Sequence, residues 1–135
     1  MNASLYRKGM KEAKKNGVSV FAHCEDINMV EGGVMNADEN ARRLGMKGIT
    51  NSVEDVIVAR DILIAKSWMP HCICAIARQQ TASDDQRCER SRLKVTGEVC
   101  PHHFILTDED IPENNGIWKM NPPLRSKADV EALRQ

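Results

Sequence analysis

The stretch VSVFAHCED at residues 18–26 marks a change from helical to strand patterning. Residues 18–22 form a short, continuous apolar run rich in β-branched side chains, which is typical of a parallel strand covered on both faces. His23 closes this strand. Before it, residues 6–16 carry basic side chains on one side and apolar ones on the other, and Gly17 follows as a helix C-cap. The pattern predicts a helix followed by a buried strand.

The same alternation continues along the chain. Residues 31–48 contain several glycines among polar residues and predict a long loop with one helical stretch at 36–44. Ser52 is predicted to cap a helix whose apolar stripe comprises Val56, Ile57, Ala59, Ile62, Leu63 and Ala65. Strands are predicted at 71–76 and 93–99, and helix starts at 107–110 and at Lys127, the latter capped by Ser126. This order favours an α/β fold built from parallel β/α units.

Length and composition narrow the function classes. A chain of 135 residues suffices for one domain with a core. Its 19 basic and 19 acidic residues predict no nucleic-acid-binding face. No apolar run reaches about 18 residues, so we expect no membrane association and a cytoplasmic location. The odd set of five cysteines favours reduced thiols; these are Cys24, Cys72, Cys74, Cys88 and Cys100.

One residue stands where a β/α fold places functional groups, and a second lies in a proline-rich turn. His23 lies at the C-terminal end of a predicted strand, the rim at which such folds carry catalytic side chains. Taken alone, a histidine there is more often a hydrogen-bonded structural residue than a metal ligand. Asn121 lies in KMNPPLR, which by itself reads as a turn before the helix that Ser126 caps. The residues by themselves do not decide whether His23 binds a metal or whether Asn121 has a functional role.

Three blocks, VFAHCED at 20–26, GEVCPHHFILTDEDIP at 97–112 and MNPPLR at 120–125, resemble dihydroorotases in order and spacing. These enzymes belong to the cyclic amidohydrolases of the metal-dependent hydrolase superfamily. The resemblance runs from about residue 8 to 132 and fails between 67 and 92. It implies a partial TIM-type (β/α) barrel of about three β/α units, in which residues 1–135 form one incomplete domain. We therefore expect an internal fragment of an enzyme about three times longer.

The resemblance also implies a chemistry. In dihydroorotases a hydroxide held by two zinc ions attacks the ring amide, which interconverts dihydroorotate and carbamoyl aspartate. The matching histidine, His23 here, binds one of those ions, and the matching asparagine, Asn121, binds the small-molecule substrate. The family's other zinc ligands and its proton-shuttling aspartate have no match in this chain. The resemblance therefore implies an incomplete binuclear zinc site, no catalytic residue within these 135, and no turnover by the fragment alone.

Alternatives remain open. A related cyclic amidohydrolase, such as a dihydropyrimidinase or allantoinase, carries similar blocks. His102 and His103 lie outside the family's usual ligand set, so we expect them to fix the loop after the 93–99 strand. A non-enzymatic alternative is a structural zinc site drawn from His71, Cys72, Cys74, Cys100, His102 and His103. Another is an interaction module that associates with itself or with a full-length relative.

Residues 75–92 depart from the family. Ala75 stands where the resemblance places a second metal-binding histidine, and alanine has no lone pair to donate. The following polar run lacks the apolar stripe that a barrel helix buries. Some of the codons that can encode this segment would, in a shifted reading frame, encode residues like those of the family. One hypothesis is that compensating frame changes scrambled residues 75–92.

Overall fold

A computed structural model describes residues 2–68, 72–75 and 95–134 of the protein. The helices are α1 (Ala3–Asn16), α2 (Ile27–Val30), α3 (Glu39–Arg43), α4 (Ser52–Trp68), α5 (Pro101–Ile105) and α6 (Lys127–Leu133). The strands are β1 (Val20–His23), β2 (Met35–Asn36), β3 (Gly48–Ile49), β4 (Cys72–Ala75) and β5 (Val95–Glu98). Two 3-10 turns, Asp108–Asp110 and Gly116–Trp118, lie between α5 and α6. The predicted α/β class is confirmed.

Three parallel strands form the main sheet, in the order β1-β4-β5. Their register aligns His23 with Ala75 and Ala75 with Glu98, so the C-terminal ends of all three strands lie at one edge. The predicted strands at 18–22, 71–76 and 93–99 are confirmed within the described residues. Because parallel strands need long connections, this edge collects residues that are far apart in sequence.

Helices α1 and α4 cover one face of this sheet and form the larger core with it. Ala22 and Cys72 belong to that core, whereas Phe21 is 67% exposed. The prediction that the first strand is covered on both faces is therefore wrong for the face that carries Phe21. The apolar run at 18–22 could not reveal this, because burial of the second face needs a further layer of chain.

Capping sets the bounds of the two long helices. Asn2 caps α1, which begins earlier than predicted, and Gly17 ends it in the left-handed region at φ 65°. Helix α4 begins at Ser52, the residue predicted to cap it. Half of the predicted apolar stripe of α4 is wrong, because Val56, Ala59 and Leu63 are exposed. The buried positions of the helix are Val53, Glu54, Ile57, Val58, Asp61, Ile62 and Ala65.

No helix in the described ranges has the length and apolarity that crossing a membrane requires.

The predicted loop at 31–48 is more ordered than its composition indicated. A second, two-stranded parallel sheet pairs β2 with β3, and α3 occupies the middle of the helical stretch predicted at 36–44. A Cβ on Gly48 would clash with the Cα of Ala37. Glycine is required at position 48 because the two backbones approach this closely.

A smaller core lies between this second sheet and the residues that precede α6. Polar side chains cross it in place of apolar ones. Asn36 donates from Nδ2 to Asp108 Oδ2 at 2.5 Å, and Asn40 donates to the carbonyl oxygens of Asp108 and Ile111. The predicted helix start at 107–110 is a single 3-10 turn, closed by hydrogen bonds between Thr107 and Asp110. The helix predicted from Lys127 is confirmed, with Ser126 as its N-cap.

Candidate functional site

His23 ends β1 at the C-terminal edge of the main sheet, with 54% of its side chain exposed. Its Nε2 lies 3.3 Å from Oε2 of Glu25, whose side chain is only 7% exposed. A carboxylate only accepts hydrogen bonds, so in the neutral form of the ring Nε2 carries the proton in this pair and Nδ1 keeps a lone pair. This tautomer is the one that suits a metal-binding histidine oriented by a carboxylate.

Asn121 reaches the same carboxylate from the far end of the chain. Its Nδ2 donates to Oε2 of Glu25 at 3.4 Å, across 96 residues of sequence. Glu25 thus links the two residues for which the resemblance implied roles. It was missed as a site residue, although it stands in the AHCED block, because nothing in the sequence showed which side chain would join His23 to Asn121.

The segment that carries Asn121 is anchored by two residues that follow it, Pro122 and Arg125. His103, which is 2% exposed, hydrogen-bonds through Nε2 to the carbonyl oxygen of Pro122 at 3.0 Å. We expected His102 and His103 to fix the loop after β5; instead residues 101–105 form α5, and His103 fixes the segment that carries Asn121. Arg125 is also 2% exposed and donates into the second sheet and α4. Asn121 is exposed immediately before the buried residues 122–125, an arrangement that suits recognition of a small molecule.

A cavity of about 410 Å³ opens beside His23 and Glu25, against Tyr6, Arg60 and Asp61. Two carboxylate oxygens, Oε1 of Glu25 and Oδ2 of Asp61, are buried without a hydrogen-bond partner. Burial raises the pKa of Asp61, although the hydrogen bond and charge of Arg60 oppose that shift. The cavity wall next to the exposed histidine therefore offers unsatisfied acceptors.

Of the zinc ligands that the resemblance implied, the described residues contain only the expected one, His23, and its role stays a prediction. His23 has the right donor and the right orienting carboxylate. Its partner in the register is Ala75, whose methyl group cannot coordinate a metal, and no group of three potential ligands within 2–68, 72–75 and 95–134 includes His23. No catalytic step can be assigned to this set. Residues 76–92 of the segment with the proposed frame changes lie outside the described residues.

The six-residue zinc hypothesis is resolved only in part. His71 and the side chain of Cys74 lie outside the described residues. Cys72 is buried, with Sγ 3.4 Å from the hydroxyl of Tyr6. The remaining three, Cys100, His102 and His103, do come together, and their potential ligand atoms lie within 4.8 Å of one another. The described cysteines Cys24, Cys72 and Cys100 are free thiols, as the odd count indicated.

Comparison with known proteins assigns the chain a family. A family model described as dihydro-orotase-like matches residues 1–81. The dihydroorotase of Staphylococcus aureus strain N315 is 43% identical over 132 residues, which cover 97% of this chain and 31% of that protein. The dihydroorotase of Listeria welshimeri is 45% identical with the same coverage. The chain thus spans about 31% of the length of these curated relatives.

Solved structures share the fold. The D-hydantoinase (dihydropyrimidinase) from Thermus sp. superposes with a TM-score of 0.79 at 18% identity, covering 98% of this chain and 31% of that one. The L-hydantoinase (dihydropyrimidinase) from Arthrobacter aurescens gives 0.80 at 17% identity, covering 98% and 30%. At these identities the likeness shows the fold alone.

Proposed function

The chain belongs to the dihydro-orotase-like family, and on that premise we propose that it is an internal segment of a dihydroorotase. The longer protein would reversibly hydrolyse the cyclic amide of dihydroorotate to carbamoyl aspartate. Identity of 43–45% to dihydroorotases, against 17–18% to the two hydantoinases, favours this substrate over the dihydropyrimidinase alternative. The activity is proposed for the longer protein and not for these 135 residues alone.

The observation that carries the proposal is the convergence of His23, Glu25 and Asn121 at the C-terminal edge of the parallel sheet. Enzymes built from parallel β/α units place their chemistry at this edge, on residues that follow different strands. A turn that served only to start α6 would give no reason for Asn121 to reach Glu25. The resemblance implied roles for the first and last of these residues independently of their contact.

We also propose that the three main strands form an arc of a TIM-type barrel. The strands β1, β4 and β5 are parallel and consecutive in the sheet, and helices cover one face. In a closed barrel the other face, which carries the exposed Phe21, would turn toward the barrel interior. Open strand edges invite pairing with other chains, so association of the fragment with itself or with a longer relative stays a prediction.

Each residue has a chemical task in this proposal. Glu25 accepts from both His23 and Asn121 and so holds them in one orientation. His23 would present Nδ1 to a zinc ion, and zinc bound at such a site supplies a hydroxide and polarises a carbonyl. Asn121 donates one N–H to Glu25. Its Oδ1 and its second N–H can hydrogen-bond a substrate ring that carries amide groups.

A chimera tests the proposal directly. Residues 3–68 and 95–134 of this chain would replace the matching parts of the Staphylococcus aureus dihydroorotase, which keeps its own sequence opposite 69–94. We expect zinc-dependent formation of dihydroorotate from carbamoyl aspartate. His23→Ala should lower kcat/KM by at least about 100-fold through loss of a metal ligand. Asn121→Ala should lower it by about tenfold, the equivalent of one substrate hydrogen bond.

The control is Asn114→Ala, at an exposed position that touches neither residue; it should leave kcat/KM unchanged. An active chimera in which His23→Ala or Asn121→Ala behaves like Asn114→Ala would contradict the assigned roles. A folded, zinc-loaded chimera that opens only other cyclic amides would contradict the proposed substrate.

We further propose that compensating frame changes account for residues 75–92. The proposal is supported by the match to relatives on both sides of this segment and by the alanine at position 75. Sequencing the encoding DNA tests it. A shifted frame should read a histidine-bearing strand like that of the relatives, and DNA that allows no such frame would refute the idea.

A further inference from the structure

A second cluster of donor side chains lies just past β5, outside the His23 site. Cys100 precedes α5, and His102 and His103 lie within it. Their potential ligand atoms all fall within 4.8 Å of one another, the only such group of three in the part of the chain that the structure describes. The Cys100 side chain is exposed and His102 is half-buried, so solvent and ions reach the cluster.

His103 has the state that a metal ligand requires. Its Nε2 lies 3.0 Å from the carbonyl oxygen of Pro122, which can only accept, so Nε2 carries the proton. Its Nδ1 keeps the lone pair and is buried with no hydrogen-bond partner. Burial lowers the pKa of His103 below its ordinary value, against the raising effect of the hydrogen bond to the Pro122 carbonyl, so the neutral ring is favoured near pH 7.

An unpartnered nitrogen on a residue that is only 2% exposed is uncommon, because a buried polar atom without a partner is destabilising by about 1–3 kcal/mol. The hydrogen bond from the opposite ring nitrogen to a backbone carbonyl is the usual companion of a coordinated histidine. The unpartnered nitrogen belongs to the same residue that clusters with a thiol and a second imidazole. These are two independent observations that point to a ligand.

We propose that Cys100, His102 and His103 bind one Zn²⁺ ion, with water completing a tetrahedral set. Sulfur and imidazole nitrogen are the donors that zinc prefers. With Zn–S near 2.3 Å and Zn–N near 2.0–2.1 Å, tetrahedral ligand atoms lie about 3.3–3.6 Å apart. In the structure the three ligand atoms lie within 4.8 Å of one another. Because Cys100 is exposed and His102 is half-buried, their side chains can move to the shorter spacing. Binding releases the thiol proton of Cys100 to solvent, so zinc affinity falls at lower pH.

This ion would be separate from the one proposed for His23. Its ligand His103 nevertheless contacts the segment that carries Asn121. His103 holds the Pro122 carbonyl, and the neighbouring Asn121 donates to Glu25. Fixing the ring of His103 from its second nitrogen would stiffen the segment that presents Asn121. An ion that binds only the folded chain also stabilises it.

The test is a Co²⁺ and Zn²⁺ titration of the full chain under reducing conditions. Co²⁺ reports coordination by a thiolate through a near-ultraviolet charge-transfer band, and competition with Zn²⁺ gives the zinc affinity. Cys100→Ser should abolish the band and weaken zinc binding at least about tenfold. His102→Ala should weaken it to a similar degree. Both positions are accessible, and circular dichroism checks that each variant folds.

His23→Ala is the control that separates the two sites, and it should leave the cobalt–thiolate band intact. The proposal is overturned if the folded wild-type chain shows no thiolate band. It is equally overturned if Cys100→Ser retains the band, since another cysteine then binds the metal, or if His23→Ala removes it. None of these outcomes depends on dihydroorotase activity, so this inference and the proposed function can fail separately.

Discussion

Replacing Arg125 with methionine should destabilise the protein far more than its single positive charge suggests. Nη1 of Arg125 donates to Oδ1 of Asn36 at 3.0 Å, to Oδ1 of Asn51 at 3.2 Å and to the carbonyl oxygen of Ile49 at 3.4 Å. Nη2 donates to Oε2 of Glu54 at 3.3 Å, and both charged side chains are 1% exposed. Methionine fills similar space but leaves Glu54 as a buried carboxylate without its cation.

Loss of one partner from a buried ion pair is destabilising by about 3–5 kcal/mol. A domain of this kind is stable by about 5–15 kcal/mol in total, so Arg125→Met should remove roughly a fifth or more of its free energy of unfolding. With a denaturant slope of about 1–3 kcal/mol/M in urea, the midpoint should fall by on the order of 2 M. The segment 120–125 would also lose one of its two anchors.

Urea unfolding followed by the fluorescence of Trp68 and Trp118, both half-buried, measures this shift. Arg42→Met is the matched control, because Arg42 pairs with Glu39 on the surface and should contribute less than about 1 kcal/mol. Glu54→Leu added to Arg125→Met should restore most of the loss by removing the buried carboxylate that Arg125 no longer faces. Equal midpoints for Arg125→Met and Arg42→Met, or no recovery in the double variant, would refute the reasoning.

Two further predictions concern the same region. Burial raises the pKa of Asp108 to about 7. The folded state therefore holds a proton that the unfolded chain releases near pH 4, and stability should fall by on the order of 2 kcal/mol between about pH 4 and 7. Urea midpoints across that pH range should decline in wild type and in the Glu109→Gln control but not in Asp108→Asn. If the decline persists in Asp108→Asn, another titrating group causes it. Gly48→Ala should lower the thermal midpoint, because the added methyl group creates a clash of about 1–3 kcal/mol. The control Gly9→Ala, in open space within α1, should raise stability by about 0.5–1 kcal/mol. A Gly48→Ala protein as stable as wild type would show that β2 and β3 lie further apart.

Local patterns predicted the elements that local forces control. Helix α1 with its Gly17 cap, α6 with its Ser126 cap and the strand ending at His23 follow from capping chemistry and hydrophobic periodicity. The buried face of α4 was predicted less well. Glu54 and Asp61 lie on that face, and polar residues are counted as exposed when only periodicity is available.

The sequence alone determined the order of elements, the family resemblance and the identities of His23 and Asn121, because each depends on neighbouring residues or on an unbroken motif. Only the tertiary structure decided that Glu25 joins those two side chains across 96 residues and that Arg125 is buried. The physical reason is that parallel strands bring the ends of distant segments to one edge of the sheet. Hydrogen bonds across that edge form between groups whose separation no local pattern encodes.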